Sequence, residues 1–177
     1  MIMIVEGIDA SGKSTLVKKL AKSYRTTNVL HFEFPQGSDN QERALWQKAQ
    51  FDLLFKTMST FNNRFQVLIL DRSHIGERVW GPLYRGLDVS YLDELEKNYS
   101  HLDVKIICMT ADEKDVLQRH DERGEKYPGY NINEISEKLI EACHSNAAGW
   151  PVTTLNSSQL SEEECFAYAI TSIEEDV

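Results

Sequence analysis

Cysteine is scarce. Cys108, Cys143 and Cys165 are odd in number, far apart and without a C-x-x-C pair. This argues against a disulfide framework and a cysteine zinc site, and it suits free thiols in a reducing cytoplasm. Long apolar runs are also missing. The longest aliphatic stretches, residues 1–5 and 67–70, reach five and four residues, against the roughly 20 that a membrane-spanning helix needs. No basic segment followed by a long apolar stretch opens the chain, so no secretory signal is expected. Positive charge is in deficit: 19 Lys and Arg face 28 Asp and Glu, for a formal charge of −9. A protein that coats nucleic acid through its phosphates carries the opposite balance, although a local basic pocket stays compatible with it. No internal repeat or low-complexity tract is visible. What is there is a chain of 177 residues, 41% hydrophobic and 27% charged. That is the profile of one globular domain with a sizeable core.

The pattern alternates short apolar runs with amphipathic stretches. Residues 2–6 read as a buried strand stopped by Gly7, and residues 14–24 as a helix with Leu16, Val17, Leu20 and Ala21 on one face. Residues 29–34 read as a second strand, stopped by Pro35. Residues 41–60 read as a helix, with Leu45, Ala49, Leu53 and Met58 among its apolar positions. A third strand at 67–70 runs into Asp71, and Gly81-Pro82 is expected to break the helix after it. Further helices are expected at 91–99, 112–120, 132–147 and 162–174. Further strands are expected at 104–109 and 151–155, the last at a sheet edge. Residues 123–130, with two Gly and one Pro, read as a mobile loop. Strands alternating with helices indicate an α/β fold with a mostly parallel sheet.

Between the first strand and first helix stands Gly7-Ile8-Asp9-Ala10-Ser11-Gly12-Lys13-Ser14, which matches G-x-x-x-x-G-K-[ST]. In this setting Gly7 and Gly12 let backbone N–H groups approach phosphate oxygens, and the helix start presents a positive dipole to the anion. Lys13 reaches the β- and γ-phosphates, and the Ser14 hydroxyl can hold Mg²⁺. No N-K-x-D segment for reading guanine follows a strand, which argues against a GTPase. The size of the chain suits a small kinase.

Residues 5–16, Val-Glu-Gly-Ile-Asp-Ala-Ser-Gly-Lys-Ser-Thr-Leu, closely resemble the start of thymidylate kinases. Asp71-Arg72-Ser73 resembles the Asp-Arg or Glu-Arg segment of thymidylate and deoxynucleoside kinases. The resemblance implies a P-loop kinase fold: a five-stranded parallel sheet ordered 2-3-1-4-5, flanked by helices. It implies one kinase domain over residues 1–177, with a lid near 119–130. It implies ATP and Mg²⁺ as cofactors, held by Gly7, Asp9, Ala10, Ser11, Gly12, Lys13, Ser14 and Thr15. Asp9 would approach the sugar 3′-hydroxyl of the acceptor, Ser14 and Asp71 would serve the metal, and Arg72 would clamp the acceptor phosphate. The lid cations Arg119 and Arg123, four apart on one helical face, would bracket donor phosphate.

The chain also departs from that pattern. Phe34-Pro35 resembles the Phe-Pro of some thymidylate kinases, but Gln36 follows where an Arg is expected, and the nearest Arg is Arg43. Glu33 stands near the general-base position of deoxynucleoside kinases, one residue out of register. Where thymidylate kinases carry a base-reading Arg, this chain has Trp46, Gln47, Gln50, Phe51 and Asp52. The Arg- and aromatic-rich stretch 72–86 resembles segments of viral thymidylate-kinase-like proteins; there His74 and Glu77 are the candidate polar readers, and Trp80 and Tyr84 are either core or site. Two acceptors are therefore expected. The first is a deoxynucleoside monophosphate, a pyrimidine above all. The second is a hydroxyl on a deoxynucleoside or on a 5-hydroxymethyl pyrimidine of viral DNA, served by a local groove of Arg72, Arg78 and Arg85. A homodimer is compatible with the resemblance.

Overall fold

The computed structural model describes residues 1–32, 39–61, 66–126 and 129–174. Strands β1 (Ile2–Gly7), β2 (Thr27–His31), β3 (Val67–Asp71), β4 (Val104–Thr110) and β5 (Val152–Asn156) form one parallel sheet in the order β2-β3-β1-β4-β5. The described helices are α1 (Lys13–Ser23), α2 (Asn40–Thr60), α3 (His74–Trp80), α4 (Tyr91–Asn98), α5 (Glu113–Glu122), α6 (Ile132–His144) and α7 (Glu162–Glu174). The central strands β1 and β4 are buried throughout, because helices cover both faces of the sheet.

Alternation along β1 sorts the core into two halves. Met3 and Val5 pack with Leu16, Val17 and Leu20 of α1 and with Cys165 and Ala169 of α7. Ile2 and Ile4 face the other way, among Phe51, Phe55 and Met58 of α2, Ile75 of α3 and Leu139 of α6. By the same alternation Glu6 falls on the side of Ile2 and Ile4.

One sequence expectation needs correction. The second strand ends at His31 rather than reaching residue 34; residues 33–38, with Glu33 and Phe34-Pro35, lie outside the described residues. In α2, Leu45 and Leu53 are 65% and 66% exposed. They lie with Ala49 on a stripe of spacing four, while the buried face is Gln47, Phe51, Leu54, Phe55 and Met58. Gly81-Pro82 ends α3 at Trp80, as expected. The helical path widens into a π-type turn over Gly81–Arg85, and the Gly81 carbonyl accepts the amides of Gly86 and Leu87. Pro82 sits in the first turn, where its missing N–H costs nothing.

His74 is likewise not a reader of any ligand. It is fully buried, and its Nε2 donates to Glu96 at 2.8 Å; Glu96 also takes Arg78 at 2.8 Å and the amide of Ala147. Burial pushes the His74 pKa down, so the ring is neutral and the carboxylate orients its proton.

Candidate active site

Every element that points toward the cleft does so from the C-terminal ends of the strands. In a parallel sheet that is where helix N-termini and loops converge. The loop after β1 wraps the Ile8 carbonyl, which accepts Ser11 Oγ at 2.8 Å and the Lys13 ammonium. Gly7 has φ +146°, and a Cβ there would stand 2.0 Å from the Met109 carbonyl oxygen, so only glycine lets the loop lie against β4. Gly12 has φ +89° and opens α1, whose first turn carries no acidic residue. With glycines at both ends and Lys13 folded back over it, the loop has the shape expected of a phosphate cradle.

Lys13 is 5% exposed. Burial first, then the neighbouring Arg72 cation, bring its pKa down to about 8, against the pull of Asp9, Glu6 and Asp71. A bound phosphate restores the charge. Nucleotide binding should therefore take up nearly one proton at pH 9 and little at pH 7. Affinity should fall about tenfold over that interval as the free protein loses the proton. Calorimetry in two buffers of different ionisation heat reads this directly. Binding with no proton uptake at pH 9 would contradict it.

Arg72 follows β3 with φ +70°, a left-handed conformation that costs an L-residue about 1–2 kcal/mol. The turn throws its guanidinium across to the phosphate loop, where it pairs with Asp9. Burial alone would raise the Asp9 pKa, but Arg72 and Lys13 outweigh it and hold the carboxyl below its usual range. Asp71 ends β3 directly beside His31 of β2, its parallel-register partner, with Nδ1 to Oδ2 at 3.1 Å. Asp9, Lys13, Ser14, Asp71, Arg72 and Arg123 share one cavity of about 350 Å³ with His31. Its oxygen donors, the Ser14 hydroxyl and the Asp71 and Asp9 carboxylates, are the hard ligands that Mg²⁺ takes together with phosphate oxygens.

The two arginines expected in a lid part company. Arg119 is clasped: it donates to the Ala10 carbonyl at 2.8 Å, to Ser157 Oγ at 2.9 Å and to the Ser157 carbonyl at 3.0 Å. It ties α5 to the phosphate loop and to the turn after β5. Arg123 caps α5 with its side chain 51% exposed, 3.9 Å from Glu125. It borders both the phosphate cavity and a second one of about 410 Å³, lined by Leu16, Met109, Leu160 and Cys165 with Arg119 and Ser157.

On the other side of Arg72 lies a small enclosed space of about 30 Å³ among Phe32, Trp46, Gln47, Gln50, Phe51 and Trp80. One face of α2 thus brings together four of the five residues that stand in place of a base-reading Arg. Asp52 turns instead toward Lys48 and Tyr91. Glu77 accepts from Gln47 Nε2 and from Arg85, which leaves Gln47 Oε1 without a hydrogen-bond partner. A carboxylate can only accept, so the amide orientation is set by its neighbour. Trp80 lines this space, whereas Tyr84 is exposed beside it.

No family model and no curated protein matches the chain. Solved structures do. The YorR protein from Bacillus subtilis, in complex with phosphorylated GDP, is 21% identical with a TM-score of 0.74, over 99% of this chain and 97% of that one. Thymidylate kinase from Ehrlichia chaffeensis is 14% identical with a TM-score of 0.64, over 98% of each chain. Deoxyadenosine kinase from M. mycoides, with dCMP and dCDP bound, is 14% identical with a TM-score of 0.54, over the whole of both chains. The fold is that of the P-loop nucleotide kinases. Within this kinase fold the sheet order is the one expected from the sequence.

Three features of the site escaped the sequence reading. His31 is visible only through the register of β2 on β3. The Arg119–Ser157 clasp joins residues 38 apart in the chain. Glu6 had a signal, a carboxylate on the apolar side of a buried strand just before the glycine-rich loop, but its partners are Ser73, which caps α3, and Gly76 within it.

Proposed function

We propose that the protein transfers the γ-phosphoryl group of ATP to a deoxynucleoside monophosphate, with a pyrimidine as the base. The observation that carries this reading is the Asp9–Arg72 pair. It joins a phosphate cradle to an arginine that borders a second, aromatic pocket, so donor and acceptor phosphates would meet across it.

The donor lies with its phosphates in the loop of residues 7–14 and its base toward the cavity behind Arg119. Phosphate on the acceptor is held by Arg72, whose planar guanidinium bonds two oxygens at once. The acceptor oxygen attacks the γ-phosphorus in line, the bond to the β-phosphate oxygen breaks, and ADP leaves. Mg²⁺, when bound at Ser14 and Asp71, neutralises phosphate charge. Lys13 and Arg123 meet the charge that grows on the transferring group, and residues 119–130 act as the lid that excludes water. Gln47 Oε1 is the free acceptor for an N–H on the base, between flat aromatic walls. About 30 Å³ holds roughly one water, so the base enters only as those walls part.

A phosphate acceptor is already a nucleophile and needs no general base. A DNA acceptor would need the expected basic groove, yet Arg78 is committed to Asp93 and Glu96, and Arg85 to Glu77. The reading is tested by ADP release from ATP with each nucleoside, each monophosphate and hydroxymethyl-pyrimidine DNA. A pyrimidine deoxynucleoside monophosphate should turn over fastest. Arg72→Ala should raise its KM by at least about tenfold and leave ATP affinity within about threefold. Equal loss of ATP binding would move Arg72 to the donor side, and faster turnover of nucleosides or DNA would replace the monophosphate.

A further inference from the structure

Glu6 is 2% exposed and occupies a place on β1 where its neighbours Ile2 and Ile4 are core. A carboxylate in such a place is costly unless its oxygens are bonded. One of them is bonded three times: Oε1 accepts the Ser73 amide, the Ser73 hydroxyl at 3.2 Å and the Gly76 amide at 3.3 Å. All three donors belong to the turn and first residues of α3 that follow Arg72. The other oxygen is packed closely, since a Cβ on Gly76 would stand 3.0 Å from Oε2. The backbone of Arg72 is tied to the same strand, its amide donating to the Val5 carbonyl at 3.1 Å.

We propose that Glu6 is a positioning residue: from the strand that carries the donor loop, it holds the Arg72–Ser73 turn in the left-handed shape that aims the acceptor clamp. This rests on Arg72 serving the acceptor. A side chain that merely stabilised the fold would affect both substrates alike. One that acts through Arg72 affects the acceptor alone, and loses its effect once Arg72 is gone.

The experiment compares Glu6→Leu, Glu6→Gln, Gly76→Ala, Arg72→Ala and the double variant Glu6→Leu/Arg72→Ala with wild type. ADP release and calorimetric binding of the preferred monophosphate are the readouts. Glu6→Leu should raise the acceptor KM by at least about tenfold with the ATP KM within about threefold. Glu6→Gln keeps an oxygen in place and should stay within about threefold of wild type for both. Gly76→Ala presses on the carboxylate from the helix side and should repeat the Glu6→Leu pattern more mildly, which keeps the test decisive if Glu6→Leu does not fold. The double variant should be no worse than Arg72→Ala alone. Multiplying losses, an equal rise in both KM values, or Glu6→Gln as damaging as Glu6→Leu overturns the proposal. Wild type that neither binds nor phosphorylates any monophosphate removes the proposed function and this inference together. Wild type that does both, while Glu6→Leu and Gly76→Ala behave like it, removes only the role of Glu6.

Discussion

Lys13→Ala should lower kcat by about 10²–10³ or more while the protein stays folded. Losing one preorganised donor to developing negative charge has effects of that size. The fold has little stake in this ammonium. Its bond goes to the Ile8 carbonyl, and that oxygen keeps the Ser11 hydroxyl as a second donor at 2.8 Å. The glycine conformations at Gly7 and Gly12 do not depend on the side chain either. Single-turnover kinetics beside a thermal melt separates the two effects. A folded Lys13→Ala protein with near wild-type turnover would end the kinase reading.

Arg123→Ala should lower kcat far more than it raises the KM for ATP, approaching the roughly 10³–10⁵ that an arginine finger supplies in this chemistry. Within the phosphate loop the residue after Asp9 is Ala10, which offers no cation, and Arg72 is engaged with Asp9. In the proposed lid, Arg123 borders the cavity at the glycine-rich loop on a side chain half in solvent, so its contact would form as that lid closes. Arg119 makes the contrast. Its guanidinium is spread over Ala10 and Ser157 beside the cavity proposed for the donor base, so Arg119→Ala should act mainly on the KM for ATP. Steady-state kinetics on both single variants and the double decides. A double variant within about threefold of wild-type kcat, under about 1 kcal/mol of barrier, would leave the lid a cover and nothing more.

The phosphate loop, the alternation of strands and helices and the Asp71-Arg72 pair were legible in the sequence because each is local. A glycine spacing, an apolar period and a strand end are written in consecutive residues. The sheet order followed from resemblance to a kinase group. Which side of a helix is core was not legible where apolar residues stood on both sides, as α2 shows: Leu45 and Leu53 face solvent, while Gln47 is buried. Tertiary structure alone decided the pairings between distant residues, namely Asp9 with Arg72, Asp71 with His31, Glu6 with Ser73, and Arg119 with Ser157. It also decided that His74 serves Glu96 and not a ligand. The reason is physical. A buried polar group is stable only with its partner in place, and partners brought together across a parallel sheet lie tens of residues apart, beyond any sequence period.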